Sequence, residues 1–129
     1  MFIMMRLLPF VCVLGALTII LGAFGAHALQ DYLTIEQLSS FETGIRYQMY
    51  HVIVMLVILL TTVFNRQQQH IIVRLFLLGI LFFSGSIYAI SFGVDSQNIW
   101  FITPLGGVFF ILGWFVMGYM SYRKLEGKS

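Results

Sequence analysis

The chain alternates long apolar runs with short polar breaks. Residues 7–26 contain no charged side chain, and predominantly apolar stretches also cover residues 43–64, 71–93 and 104–122. Each run is about 20 residues long, which is the length an α-helix needs to cross a hydrocarbon core about 30 Å thick. The pattern therefore predicts an all-α fold, a bundle of four transmembrane helices that forms a single membrane domain over residues 1–129.

The polar break after the first run contains a signal for a helix start. Thr34-Ile-Glu-Gln37 has the form of a capping box, in which two side chains cap each other's backbone N–H groups. A helix should therefore begin near Ile35. We expect residues 35–41 to form a short interfacial helix between crossings one and two, with a bend at Gly44 before the second crossing.

Two later breaks predict a turn and a second helix start. Residues 65–70 are polar and have the length of a connection between helices in a bundle, so they are expected to form a tight turn. Thr103-Pro104 suits the beginning of the fourth helix, with Thr103 as N-cap and Pro104 in the first turn.

Small residues predict where helices approach one another closely. Gly85, Ala89 and Gly93 recur at every fourth position and should share one face of the third helix. In the fourth helix we expect the same role for its glycines, which are Gly106, Gly107, Gly113 and Gly118.

The first helix is expected to stay in the protein. Ala26-His27-Ala28 has the form of a signal-peptidase site, but the preceding apolar run is longer than the roughly 7–15 residues of a signal peptide.

Composition supports a membrane protein and excludes other classes. Hydrophobic residues make up 60% of the chain and charged residues only 9%, whereas a soluble domain has roughly 25% charged residues. The net charge of +2 comes from scattered basic residues, so nucleic-acid binding has no support. Cys12 is the only cysteine, which excludes an intramolecular disulfide.

The charges also predict an orientation. Six basic residues fall on one side of the four crossings, and Arg46 falls on the other side. The positive-inside rule then places both termini in the cytoplasm of a multi-pass protein of the plasma (inner) membrane. The six are Arg6, Arg66, Arg74, Arg123, Lys124 and Lys128; the acidic residues beside Arg46 are Asp31, Glu36, Glu42 and Asp95.

Polar side chains concentrate in the outer half of this bundle, whereas the inner half offers little beyond Cys12, Thr18, Thr61 and Thr62. A channel or carrier needs polar groups along its whole path or at the midplane. We therefore expect a closed inner half and a one-sided outer site for a ligand or partner. Its candidate residues are His27, Glu42, Arg46, Tyr47, Gln48, His51, Ser84, Ser86 and Tyr88.

Within this set, Glu42 and Arg46 have the spacing of a helical ion pair. The pair is interpreted either as the roof of a polar pocket or as a structural clasp. His51 is expected to face the interior and to bond to Ser84, Ser86 or a carbonyl group. No spacing supports a metal or haem site between His27 and His51, and no catalytic constellation occurs, so neither a cofactor nor a metal is expected.

Three functional hypotheses follow. The first is a non-enzymatic binding or accessory (scaffold) protein whose outward polar site takes a lipid-like ligand or another membrane protein; a homo-oligomer also fits its small-residue faces. The second is a small transporter or proton-coupled permeability factor that uses His51 and Glu42 as titrating groups. The third, an enzyme subunit that carries a cofactor, has the least support.

Four blocks of sequence resemble a known family. They are residues 22–29, 41–51, 81–90 and 102–107, with Gly113-Trp114 after the last. In this order and spacing they resemble the DUF423 family of small inner-membrane proteins. The resemblance implies a four-helix integral membrane protein of unknown function and brings no activity, substrate or catalytic residue. The matched positions are His27, Glu42, Thr43, Gly44, Arg46, Tyr47, Gln48, His51, Ser84, Gly85, Ser86, Tyr88, Thr103, Pro104, Gly106 and Gly107.

Overall fold

The computed structural model describes residues 4–127, and every regular element in that range is helical. Four helical segments are long and apolar enough to cross a membrane, namely Leu7–His27, Ile35–Leu60, Arg66–Ser91 and Ser96–Leu125. The predicted all-α fold with four transmembrane helices is therefore confirmed. Lys128 and the side chain of Arg6, which entered the charge argument, lie outside the described residues.

The third span contains a turn of π-helix, which the sequence analysis did not predict. The spans connect through short turns, and the fourth segment begins with a single-turn helix. In chain order the elements are α1 (Met4–His27), α2 (Ile35–Leu60), α3 (Arg66–Gly79), the π-turn (Ile80–Ser84), α4 (Gly85–Ser91), α5 (Ser96–Ile99) and α6 (Ile102–Leu125).

α2 begins where the sequence predicted, and the capping box is present. Oγ1 of Thr34 accepts from the backbone N–H of Gln37 at 3.2 Å, and Oε1 of Gln37 accepts from the N–H of Thr34 at 2.9 Å. A separate interfacial helix and a bend at Gly44 are not seen, since α2 runs unbroken from Ile35 to Leu60. A glycine at position 44 lets α4 approach this helix closely, since a Cβ there would lie 3.0 Å from Tyr88 and 3.4 Å from Ile87.

The predicted turn over residues 65–70 is wrong, because the chain is already helical from Arg66. Asn65 and Gln68 form a second capping box, with distances of 3.0 Å and 2.9 Å. Gln69 then donates from Nε2 to the carbonyl oxygens of Ile58 and Thr61 at 2.8 Å and 2.9 Å. This side chain satisfies carbonyls at the end of α2 that have no partner within that helix.

α6 begins at Ile102, two residues before the predicted Pro104. Thr103 does not act as its N-cap, since its hydroxyl pairs with that of Ser86 at 2.6 Å. The short helix α5 before it was not predicted; Asp95 caps it by accepting from the N–H of Gln97.

The spans pack as neighbouring pairs, α1 against α2 and α6 against α3 and the π-turn, with α2 in contact with the third span. α2 and α6 end on the same side, because Lys124 donates from Nζ to the carbonyls of Thr62 and Val63 at 3.2 Å and 2.6 Å. We call this side the basic end and the opposite side, where α2 begins, the acidic end. The apolar core comprises Val11, Val52, Met55, Ile58, Ile72, Val73, Phe76, Ile80 and Phe110.

Close helix approach occurs at some of the predicted glycines only. A Cβ atom on Gly106 would lie 2.2 Å from the backbone nitrogen of Phe83, and one on Gly113 would lie 2.5 Å from the Phe76 ring. By contrast, a Cβ on Gly107 or Gly118 would meet nothing within 4 Å. The prediction is therefore confirmed for two glycines of α6 and wrong for the other two.

The predicted close-contact face of Gly85, Ala89 and Gly93 is also wrong. A Cβ on Gly85 would approach only the chain's own carbonyl at Ile80, 3.9 Å away. Gly93 lies beyond the end of α4 with φ +104°, and Val94 N–H bonds back to the carbonyl of Ala89 at 3.0 Å. Gly93 therefore ends the helix in a Schellman turn, for which a residue without Cβ is favoured.

Candidate functional site

The block from Phe41 to His51 lies entirely on α2, and helical geometry divides it between two faces. Phe41, Gly44, Gln48 and His51 follow one another at intervals of three or four residues and are buried. Residues three or four apart share a face of a helix, so this stripe faces the bundle. The charged residues of the block lie outside the stripe and are exposed.

Gln48 is the centre of a hydrogen-bond network that joins three helices. Its Nε2 donates to Oγ1 of Thr18 on α1 at 2.8 Å, and its Oε1 accepts from the hydroxyl of Tyr88 on α4 at 2.9 Å. Thr18 in turn donates to the carbonyl of Leu14 at 2.7 Å. Because Gln48 is only 3% exposed, these bonds take the place of water. The network holds α1 and α4 to the same turn of α2.

His51 lies one turn further along α2 and is 4% exposed. Its Nδ1 is 2.7 Å from the carbonyl oxygen of Tyr47, and its Nε2 accepts from Nε1 of Trp114 at 3.3 Å. A carbonyl only accepts, so the neutral ring that carries its proton on Nδ1 satisfies both contacts. The ring also stacks on Phe110, with centroids 3.7 Å apart and planes 9° apart. The expected carbonyl partner of this histidine is confirmed.

The π-turn determines where Ser84 points. The N–H of Gly85 bonds to the carbonyl of Ile80, five residues earlier, whereas an α-helix uses the carbonyl four residues earlier. The side chain of Ser84 is fully buried and donates from Oγ to the carbonyl of Gly44 at 2.7 Å. Ser84 therefore binds the π-turn to the middle of α2.

Ser86 makes a similar connection to the fourth span. Its hydroxyl lies 2.9 Å from the carbonyl oxygen of Phe83, to which it donates, and 2.6 Å from Oγ1 of Thr103. Five of the nine predicted site residues are thus bonded to other groups of the chain inside the bundle: Gln48, His51, Ser84, Ser86 and Tyr88. Among the described residues, no buried side-chain nitrogen or oxygen is without a hydrogen-bond partner.

The other four predicted site residues are exposed. His27 is the last residue of α1, Tyr47 is 41% exposed, and Glu42 and Arg46 lie on the outer side of α2. The predicted ion pair between Glu42 and Arg46 is not present. Nη2 of Arg46 donates instead to Oγ1 of Thr43 at 3.1 Å. The guanidinium of Arg46 thus turns toward Thr43, one helical turn earlier, and both charged groups remain exposed.

Glu42 and Arg46 border a groove at the acidic end, which we call the α1–α2 groove. Its volume is about 200 Å³. It lies between the last turns of α1 and the first turns of α2, and its α1 wall consists of residues with little or no side chain. The lining residues are Gly22, Gly25, Ala26, Leu38, Phe41, Glu42, Ile45 and Arg46.

The α1 side of this groove was missing from the predicted site. Gly22 and Gly25 carry no chemistry that sequence analysis selects, although they fall in the first block of the family resemblance. Gly25 is required by packing, since a Cβ there would lie 2.7 Å from the Phe41 ring.

Thr18 was also missing from the predicted site. The sequence analysis placed it in the inner half, yet it bonds to Gln48. The signal available in the sequence was a lone hydroxyl group in an apolar helix.

The polar groups of the candidate site are divided between the interior of the bundle and its surface. Over residues 4–127 no cluster of three or more histidine, cysteine, aspartate or glutamate side chains is suited to hold a metal ion. The interior groups are hydrogen-bonded to one another, whereas the two charged residues of the site, Glu42 and Arg46, are exposed.

Comparison with known proteins gives a consistent result. Residues 21–107 match the family described as "Protein of unknown function (DUF423)". A "UPF0382 membrane protein" of Haemophilus influenzae is 37% identical over 119 residues, covering 92% of this chain and 95% of that protein. A Staphylococcus epidermidis protein of the same name is 40% identical over 109 residues, covering 81% and 88%.

The "UPF0382 inner membrane protein YgdD" of Escherichia coli strain K12 is 33% identical over 131 residues, covering 95% of both chains. These names state a membrane location and no activity. No solved structure shows a significant match to the chain.

Proposed function

The chain belongs to the DUF423 family of membrane proteins, and from this premise we propose that it is a non-enzymatic protein that binds a lipid-like ligand in the α1–α2 groove. The observation that carries the proposal is the pair of opposite charges at this groove, which are not bonded to each other. Glu42 has no hydrogen bond or ion pair to any residue in the described range of 4–127, and Arg46 uses Thr43 alone.

The ligand that fits these two charges is a zwitterionic phospholipid. A guanidinium binds phosphate oxygens through charge-assisted hydrogen bonds, so Arg46 would take the phosphate. The Glu42 carboxylate accepts hydrogen bonds only, so it would take the ammonium group of an ethanolamine headgroup. The remaining groove wall includes Leu38 and Ile45, which would contact the acyl chains near the glycerol.

The first prediction concerns binding of phosphatidylethanolamine to the purified, delipidated protein, measured by native mass spectrometry. Arg46→Gln and Glu42→Gln should each weaken binding about tenfold or more, because a hydrogen bond to a charged group contributes about 1.5–3 kcal/mol. Diacylglycerol, which lacks the headgroup, should bind weakly to the wild type and to both variants.

Two charge-neutralising variants away from the groove serve as controls. Arg74→Gln removes an exposed positive charge from the third span, as a match for Arg46→Gln. Glu36→Gln removes an exposed negative charge from the first turn of α2, as a match for Glu42→Gln. They should bind phosphatidylethanolamine as the wild type does. Equal binding by all four variants would overturn the proposal. Release of a co-purified membrane protein by Glu42→Lys, with lipid binding unchanged, would replace the lipid by a protein partner.

We also propose that the protein lies in the inner membrane with both termini in the cytoplasm. The basic end carries Arg66, Arg74, Arg123 and Lys124, and positive charge is retained on the cytoplasmic side. A reporter enzyme that is active only outside the cytoplasm should therefore be inactive when fused to the C-terminus. The same reporter fused after Asp95 should be active. The reverse pattern would contradict this orientation.

A further inference from the structure

A second, larger groove lies at the basic end, where the sequence predicted a closed inner half. It has a volume of about 540 Å³ and runs between the last turns of α2 and of α6. We call it the α2–α6 groove. Its walls are apolar over most of their length, with hydroxyl groups of Thr61 and Ser121 toward the end of the bundle.

The α2–α6 groove is nearly as long as the hydrocarbon part of one bilayer leaflet. On α2 its lining residues extend from Ile53 to Thr61, which is about 12 Å along the helix axis at 1.5 Å per residue. Half of a hydrocarbon core about 30 Å thick is about 15 Å. A groove of this length that begins at a membrane surface reaches most of the way to the midplane, as a single acyl chain does.

Gly118 keeps the α2–α6 groove open on the α6 side. A Cβ atom at this position would meet nothing within 4 Å, although Gly118 lines the groove. In a tightly packed helix pair a glycine is closely covered, as Gly106 and Gly113 are in this protein. The space beside Gly118 is thus left unfilled by the part of the chain that the structure describes.

A positive charge lies at the mouth of the groove. Nζ of Lys124 is held 2.6 Å from the carbonyl oxygen of Val63, which is itself a lining residue, and 3.2 Å from that of Thr62. An ammonium group has three N–H donors, and two are used in this way. The third has no acceptor among the described residues, so it is available to a phosphate group beside the groove.

From this geometry we propose that the α2–α6 groove binds one anionic phospholipid of the leaflet at the basic end. One acyl chain lies along Val57 and Gly118, and the phosphate binds the ammonium of Lys124. Negatively charged headgroups are attracted to basic residues at a membrane surface. This site is distinct from the α1–α2 groove, and it does not depend on the function proposed for that groove.

The test uses native mass spectrometry of the full chain with added phosphatidylglycerol. Gly118→Leu should lower phosphatidylglycerol binding about tenfold, because the new side chain would occupy the groove, and its Cβ would meet nothing within 4 Å. Gly107→Leu is the matched control, since Gly107 is on the same helix and outside the groove, and a Cβ there likewise meets nothing within 4 Å. It should bind as the wild type does.

Further variants separate the apolar and ionic parts of the site. Val57→Phe should repeat the loss from the α2 side, and it decides the outcome if Gly118→Leu loses its helical circular dichroism. Lys124→Gln should lower phosphatidylglycerol binding about fivefold or more. Lys124→Arg, which keeps the positive charge, should bind as the wild type does. Phosphatidylethanolamine binding at the acidic end should be unaffected by all of these variants, whereas Glu42→Gln should affect that binding alone.

Two results would overturn the proposal. One is phosphatidylglycerol binding by Gly118→Leu and Val57→Phe that equals that of Gly107→Leu. The other is a two-chain species in the wild type that Gly118→Leu dissociates, which would make a second copy of the chain the occupant of the groove.

Discussion

Gly106→Ala is expected to destabilise the protein by at least about 3 kcal/mol, near the upper end of the usual cost of overpacking. The added Cβ would lie 2.2 Å from the backbone nitrogen of Phe83 and 2.7 Å from the carbonyl carbon of Phe82. Backbone of the π-turn cannot move aside as a flexible side chain can, so α6 must separate from the third span. The measurement is the midpoint of denaturant-induced unfolding of the purified protein in mild detergent.

Gly107→Ala is the control for this prediction. It makes the same chemical change one position later, where a Cβ meets nothing within 4 Å. Alanine is favoured over glycine in a helix by up to about 1 kcal/mol, so this variant should unfold at the same midpoint as the wild type or slightly later. Equal unfolding midpoints for the two variants would show that α6 does not approach the backbone of the π-turn this closely.

His51→Ala is expected to cost about 2–4 kcal/mol of unfolding free energy. The substitution removes a ring that stacks on Phe110 at 3.7 Å, and it leaves the indole N–H of Trp114 without its acceptor. The loss of stability should be accompanied by a shift in Trp114 fluorescence. Because the exposed Trp100 also emits, the spectra should be recorded in a Trp100→Phe background.

His27→Ala is the matched control, since His27 is exposed at the end of α1. It should leave both stability and fluorescence unchanged. The same pair of variants bears on the transporter hypothesis, in which His51 is a titrating group. Loss of flux in proteoliposomes by a His51→Ala protein with unchanged stability and unchanged Trp114 emission would contradict the structural role and favour transport.

Local signals in the sequence were sufficient for the start of α2 but not for the following helix. The capping box at Thr34 depends on residues three apart, so it is visible in any sequence that carries it. Asn65 and Gln68 form an equivalent capping box, but their polar surroundings favoured a turn. Because these residues are polar, the sequence placed the start of the third helix at residue 71, whereas α3 begins at Arg66.

The spacing of residues along α2 predicts which of its side chains face the bundle, but not which groups they contact. Helical spacing alone places Gln48 and His51 on one face of α2. It does not indicate that Thr18 of α1 and Trp114 of α6 complete their hydrogen bonds, because those contacts depend on how separate helices pack. For the same reason the sequence favoured an ion pair between Glu42 and Arg46, whereas the guanidinium bonds to Thr43.

The π-turn could not be predicted because nothing within residues 80–84 requires it. The five residues Ile-Leu-Phe-Phe-Ser also suit an ordinary transmembrane α-helix. What stabilises the wider turn lies elsewhere in the chain: the carbonyl of Gly44 accepts from Ser84, and Gly106 provides room for the backbone of Phe83. Its energetic basis is therefore tertiary.

The π-turn also sets the direction of the side chains that follow it in the third span. An α-helical turn over the same residues would rotate the rest of the span by about 100°. Tyr88 would then point away from Gln48, and Ser86 away from Thr103. Loss of one residue between Gly79 and Gly85 would offset this rotation, because a π-turn holds one residue more than an α-helical turn. Homologues that are one residue shorter in the third span should therefore lack the π-turn, whereas other changes in length should collect in the turn after Gly93.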